Sequence, residues 1–209
     1  MFIDIHTHAV NVGDAKYCIT SSELSLACNG YCSLGIHPWN ITSDWKEKFK
    51  EMASVAADAR VVAIGECGID KIKGSANVEL QIDVLRAHIQ LSEGLKKPLI
   101  LHCVKGVDEI VALHRTERAS QPWIIHGYRG KSAQAQQLLR EGFYISFGEL
   151  FNKEALLSVP ANRLFVESDT GKKDIKDIYI SIAEARGVAL DVLIAQILSN
   201  AKMCNIISQ

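Results

Sequence analysis

The apolar positions of this chain fall into short, nearly continuous runs separated by stretches of helical periodicity. The runs are FIDIH (2–6), YCSLGIH (31–37), VVAIGECG (61–68), PLILHC (98–103), WIIHG (123–127), FYISFG (143–148) and RLFVESD (163–169), with AKYCIT (15–20) as one more candidate. Most are apolar throughout rather than alternating, the pattern of strands buried on both faces of a parallel sheet. Ser43-Asp44 ahead of WKEKFKEMASVAADA marks a helix start. In ELQIDVLRAHIQLSEG (79–94), Leu80, Val84, Leu85 and Ile89 form one stripe, with Gly94 as the expected C-cap and Pro98 beyond it. SAQAQQLLREG (132–142), DIKDIYISIAEARG (174–187) and DVLIAQILSNAKM (191–203) read as further helices. Strand–helix alternation with about eight strands predicts an α/β protein, a distorted (β/α)8 barrel of the TIM type, forming one domain over residues 1–209. The stretch between His8 and the strand ending at His37 is short, so the first β/α cycle is expected to be reduced.

Composition narrows the class. At 209 residues and 48% hydrophobic, the chain can bury one core. A net charge of −1 with 22% charged residues excludes a disordered chain and a strongly basic nucleic-acid binder, though a local basic patch is compatible with it. The six cysteines include no C-x-x-C pair and read as reduced, mostly buried thiols. No signal-peptide pattern precedes Phe2, and no apolar run is long enough for a membrane span. The expectation is a cytoplasmic protein with no membrane association and no protein partner.

The chemistry-bearing residues share one position. His6 and His8 end the first run, Glu66 ends AIGE, His102 ends LILH, His126 ends WIIH and Asp169 ends FVESD. In a parallel barrel the C-terminal strand ends form one rim, where barrel active sites lie. Residues i and i+2 of a strand face the same side, so His6 and His8 can reach one ion. Imidazole suits zinc, and carboxylate widens the choice to manganese or magnesium. Six ligands exceed the need of one catalytic ion with an open position. Two divalent ions about 3.5–4 Å apart, bridged by Glu66, would use them all. Cys67 and Cys103 directly follow ligand residues and so should face away from the site. Among the other histidines, His88 falls mid-helix, His114 is placed on a polar helix surface, and His37 in GIHPW is either structural or substrate-facing.

FIDIHTH, GIHPW, AIGECGID, PLILHC, WIIHGYRG, FYISFG and VESDTG occur in the order found in TatD-related metal-dependent hydrolases, and on these motifs the chain resembles that family over nearly its whole length. The resemblance implies a distorted (β/α)8 barrel, a site for one, two or three metal ions, and hydrolysis usually described as DNase activity. It also implies that His6, His8, Glu66, His102, His126 and Asp169 are the ligands. The chain departs from the family pattern at His102-Cys103-Val104-Lys105, at His126-Gly127-Tyr128-Arg129-Gly130, at Lys71-Ile72, and at Gly171-Lys172 where a proline is usual. These are substrate-facing positions, so the metal chemistry is better specified than the substrate.

The expected mechanism is hydrolysis by a metal-activated water, with Asp169 and Glu66 as the catalytic carboxylates and Asp169 orienting or deprotonating the water. Lys71, Lys105, Arg129, Lys131 and Lys172 stand in rim loops. Of these Arg129 suits phosphate best, because a guanidinium fork matches it. His37, Lys105 and Arg129 are the substrate-binding candidates, and Trp39 and Tyr128 could stack a terminal base. The substrate expected is DNA ends or short single strands, cut in a 3′–5′ exonuclease-like manner. Two alternatives stay open: a small ester, lactone or amide as substrate, and a catalytically idle metal-binding scaffold.

Overall fold

A computed structural model of the chain describes residues 1–8, 15–22 and 30–207. Eight parallel strands lie side by side in chain order: β1 (Phe2–Thr7), β2 (Ala15–Ser22), β3 (Cys32–Leu34), β4 (Val61–Asp70), β5 (Leu99–Val104), β6 (Trp123–Ile125), β7 (Tyr144–Phe147) and β8 (Leu164–Val166). A parallel bridge between Thr7 and Asp169 joins the last strand to the first and closes the (β/α)8 barrel. The helices are α1 (Trp45–Val55), α2 (Val78–Leu95), α3 (Val107–Thr116), α4 (Ser132–Arg140), α5 (Lys153–Ser158), α6 (Ile175–Arg186) and α7 (Leu190–Met203). The expected shortening of the first cycle falls on residues 9–14 and 23–29, outside the described residues. Among the described residues no helix is long and apolar enough to cross a membrane.

The continuous apolar runs become strands because both faces are covered, and all ten residues of β4 are buried. Trp123, Phe143, Phe147, Phe165 and Tyr179 fill much of the interior. Two polar side chains tie the closing helices to the barrel. The Tyr179 hydroxyl donates to the Ile3 carbonyl (2.8 Å), and Asn200 Nδ2 donates to the carbonyls of Ala161 and Leu164 (2.8 Å each). Asn77 and Asp174 cap α2 and α6, their side chains accepting from the amides of Leu80 and Lys176.

Three details differ from the sequence reading. Helix α2 runs past Gly94, and Lys96 takes the left-handed conformation (φ 56°) that closes it, its amide reaching the carbonyls of Glu93 and Ser92. The six-residue α5 is too short to show a helical period, so the apolar pattern does not predict it. His114 is not on a polar surface: its ring lies 4.8 Å from both Trp123 and Phe143, because α3 packs that face onto the barrel.

Candidate metal centre

Strand β4 does not end at Glu66 as the sequence suggested. Gly68, Ile69 and Asp70 continue it in register with His102, Cys103 and Val104 of β5. Glu66 instead sits in an irregularity of that pairing between Ile64 and Cys67, a bulge that re-aims its side chain. Glycine flanks it for a steric reason. Gly65 (φ 134°) and Gly68 (φ 145°) lie so close to β5 that a Cβ would meet the Ile100 carbonyl oxygen at 2.3 Å and that of His102 at 2.0 Å.

Each Glu66 oxygen faces its own set of imidazoles. Oε2 lies 3.2 Å from Nε2 of both His6 and His8. Oε1 lies 2.7 Å from His126 Nε2, 2.9 Å from His102 Nδ1 and 3.0 Å from His37 Nε2. Asp169 Oδ1 approaches the first set, 3.9 Å from His6 Nε2 and 3.8 Å from His8 Nε2. Since both carboxylates approach His8 Nε2, at 3.2 and 3.8 Å, they are close enough to share an ion pair site. Four groups of three donors converge within 4.8 Å: His6–Glu66–His126, His6–His8–Asp169, His37–Glu66–His102 and His126–Glu167–Asp169.

The centre lies at the floor of a cavity of about 520 Å³, walled by His8, His37, Trp39, His102, Asp169 and Thr170. A smaller cavity of about 230 Å³, lined by Arg129, Glu149 and Leu150, adjoins it through Asp169 and Thr170. Asp169 stands in the left-handed region (φ 52°), which Asp tolerates better than most residues. Backbone bonds hold it there: its amide donates to the His6 carbonyl (3.0 Å), and its carbonyl accepts from the His8 amide (3.1 Å). Behind it, buried Asp4 accepts from the Ser168 amide (3.0 Å) and hydroxyl (2.6 Å), and Ser168 Oγ lies 2.8 Å from Thr7 Oγ1.

The electrostatics are those of a site short of positive charge. Burial pulls His6 below the ordinary imidazole range, and the charge of His126 adds to it. Neither ring nitrogen of His6 makes a hydrogen bond, although both are buried. A neutral imidazole offers one donor and one acceptor, and buried polar groups left without a hydrogen bond call for a missing partner. Burial also disfavours charge on His126, but Glu66 and Glu167, one at each ring nitrogen, hold it well above the usual value. Burial would raise the Glu66 carboxyl, yet the charge of His126 and the imidazoles of His102 and His37 keep it well below the carboxylate range. A divalent ion among neutral imidazoles and ionised carboxylates meets that demand, and the donor set fits one.

All six predicted ligands therefore meet in one place. His37, expected to touch substrate, stands against Glu66 as well as lining the cavity. Arg129 lies in the adjoining cavity, whereas Lys105 is exposed on the rim and lines neither. Of the other cations, Lys71 pairs with Glu109 (2.6 Å) and Lys73 covers the Trp39 ring (5.1 Å). Tyr128 does not face the site. It is buried against Phe147 and donates to the Lys131 carbonyl (2.7 Å), bracing its own loop. Cys67 is buried away from the donor groups, none of which contains a cysteine among the described residues. Two acids escaped the sequence reading. Glu167 contacts His126 Nδ1 (3.2 Å) and Asp70 contacts His102 Nε2 (3.1 Å). Each shares a motif, GECGID or VESD, with a predicted ligand: Asp70 follows Glu66 and Glu167 precedes Asp169.

The family model described as TatD related DNase matches residues 5–204. The chain belongs to that family. It is similar to an uncharacterized metal-dependent hydrolase of Buchnera aphidicola, 30% identical over 77% of the chain and 60% of that protein. It is also similar to the 3'-5' ssDNA/RNA exonuclease TatD of Enterobacter lignolyticus, 28% identical over 66% of the chain and 57% of that protein. The chain thus spans about three-fifths of the length of these relatives. The crystal structure of YJJV, a TatD homolog from Escherichia coli, shares the fold with a TM-score of 0.83 at 20% identity, covering 97% of both chains.

Proposed function

We propose that the protein is a divalent-metal-dependent hydrolase that cleaves phosphodiester bonds at DNA ends or in short single strands, acting as a 3′–5′ exonuclease. The observation that carries the reading is the split of Glu66, whose two oxygens face separate donor sets at the floor of one open cavity. His6, His8 and Asp169 would hold one ion and His102 and His126 the other, with Glu66 shared between them. Zinc, manganese and magnesium all suit the set. Bound there, the ions would make hydroxide available near neutral pH and offset charge on a phosphoryl oxygen.

The side chains supply the rest. Asp169, partly exposed to the cavity, would take the proton of the attacking water at Oδ1. Arg129, across Asp169 in the adjoining cavity, offers a fork to a neighbouring phosphate, with Lys105 farther out on the rim. Trp39, 45% exposed at the cavity wall, offers a surface for a terminal base. A recessed floor admits a strand end more readily than the middle of a duplex, which favours end-wise action. The family's description and the exonuclease among its relatives support this substrate class.

The test incubates metal-loaded protein with end-labelled single strands, a closed circular strand, and a panel of small esters, lactones and amides. Shortening of the linear strands alone, abolished by chelation and restored by added metal, is the expected result. Two or three phosphate contacts would give a salt slope of about −2. Fast metal-dependent turnover of the small panel with intact DNA would replace this reading.

A further inference from the structure

The smaller cavity beside the metal centre has walls from three adjacent loops. Gly127 and Arg129 follow β6, Gly148, Glu149 and Leu150 follow β7, and Ser168 to Gly171 follow β8. Tyr128 braces the first loop: its amide donates to the Ser146 carbonyl (3.0 Å) and its hydroxyl to the Lys131 carbonyl (2.7 Å). The second loop is fixed at its far end. There Asn152 accepts from the Ala155 amide (3.0 Å), and Ser132 Oγ donates to Glu154 Oε1 (2.8 Å). Glu149 lies across the turn of the third loop. A Cβ on Gly171 would meet its Cδ at 3.4 Å and the Ser168 carbonyl oxygen at 2.7 Å, so any larger residue in that turn would crowd both.

Two charged side chains of this cavity stand apart from the donor groups of the metal centre, Arg129 and Glu149. Among the described residues neither side chain has a hydrogen-bond or ion-pair partner, not even the other. Two unpaired charges of opposite sign set two demands on an occupant. Arg129 suits a phosphate. A phosphate beside Glu149 meets a like charge, and a carboxylate only accepts hydrogen bonds. The fitting ligand therefore carries a donor next to its phosphate. A deoxyribose within a strand has none there. A ribose has the 2′-hydroxyl, on the carbon next to the one that bears the 3′-phosphate. An acidic side chain on a ribose hydroxyl is a recurrent pairing, and the 2′-hydroxyl is the group by which proteins tell RNA from DNA. The N–H groups of a base lie beyond the sugar, away from the phosphate.

We propose that Glu149 is a specificity-determining residue: it accepts from the 2′-hydroxyl of the nucleotide next to the one removed, whose phosphate Arg129 holds, and so favours ribose over deoxyribose at that position. This rests on the phosphodiester reading above, with the terminal base on the Trp39 side. The two cavities share Asp169 and Thr170, so the occupant of the smaller one is the immediate neighbour of the group at the metal centre. Leu150, 60% exposed, gives the outer wall an apolar edge.

The experiment uses metal-loaded protein and four end-labelled DNA strands that differ only in the penultimate sugar: deoxyribose, ribose, 2′-fluoro and 2′-O-methyl. The quantity read is kcat/KM for removal of the terminal nucleotide. The ribose strand is expected to be favoured over the deoxyribose strand by at least about tenfold, the low end for a hydrogen bond to a charged group. The fluoro and methoxy strands, which accept but do not donate, should be no faster than deoxyribose. Glu149→Ala should bring the ribose-to-deoxyribose ratio to about one, partly by speeding the deoxyribose strand as the like charge disappears. Glu149→Gln should give an intermediate ratio, and Arg129→Ala should slow both strands alike. A wild-type ratio of one, a fluoro strand as fast as the ribose strand, or a ratio that survives Glu149→Ala would each overturn the proposal. So would a Glu149→Ala protein with altered base preference and an unchanged sugar ratio. The comparison of sugars in the wild type decides even if Glu149→Ala fails to fold. Cleavage of all four strands at one rate would overturn this assignment alone, whereas cleavage of none would overturn the phosphodiester reading and this with it.

Discussion

The two sides of Glu66 are held by different means. On the Oε2 side, His6 and His8 come from one strand end and Asp169 from a backbone in the left-handed region, joined to β1 by main-chain bonds. Neither nitrogen of His6 has a hydrogen-bond partner. On the Oε1 side, each imidazole has an outer partner: Asp70 for His102, Glu167 for His126 and the Trp39 amide for His37. The first half is positioned by the backbone where the barrel closes, and the second by side-chain bonds reaching outward from β4, β5, β6 and β8. Barrel closure fixes the β1–β8 seam already. The other imidazoles sit on separate strands and need individual orientation.

The most damaging change should be at the residue common to both halves. Glu66→Gln is expected to remove bound metal from both sides and lower turnover by at least about 10⁴-fold, the upper end for a single acid–base group. Metal content and turnover on one sample check this, and retention of two equivalents would show that the halves do not share it. Asp169→Asn touches only the seam. Asn tolerates the same backbone conformation, so the fold should survive while turnover falls roughly 10²–10⁴-fold. At least one equivalent of metal should remain, held by His102, His126 and Glu66.

Ser168→Ala tests the seam's support without touching a ligand. Buried Asp4 loses its hydroxyl donor, which should cost about 1–3 kcal/mol in denaturant unfolding. Imidazole signals of His6 and His8 should shift and those of His102 should not; equal shifts in both would dissolve the distinction between the halves.

The smallest effect expected on the metal centre and at neutral pH is at His88, a histidine satisfied at both nitrogens. Its Nε2 accepts from the Ile36 amide (3.0 Å) and its Nδ1 donates to the Val84 carbonyl (2.7 Å). Burial lowers it from 6.5 to about 4. A depressed value means the unfolded chain takes the proton first. The contribution of His88 is therefore complete above about pH 6.5 and declines toward pH 4, by about 1.4 kcal/mol per pH unit. Unfolding curves of metal-free wild type and His88→Gln should diverge with pH across that window. A constant difference would assign the acid sensitivity elsewhere.

Much of this arrangement follows from local pattern. Continuous apolar runs identify two-faced strands, and parallel strands place their C-terminal ends together, so His6, His8, Glu66, His102, His126 and Asp169 could be grouped from their positions. Other features are not local. That β4 continues to Asp70 depends on pairing with β5, because GID alone reads as a turn. Which acid of VESD approaches which ring depends on how β8 meets β1 and β6. The fate of Tyr128 and His114 was decided by packing, since an aromatic or imidazole in a loop or helix carries no sign of the surface it will meet. Periodicity and residue chemistry determined the barrel and its polar rim, because burial on both faces and donor type are properties of each segment. The division of Glu66 between two donor sets, and the outer partners of the imidazoles, were decided by tertiary structure alone. Apart from the local bond of the Trp39 amide to His37, they are contacts between residues distant in the chain, such as Asp70 with His102 and His126 with Glu167, whose geometry exists only once the barrel has closed.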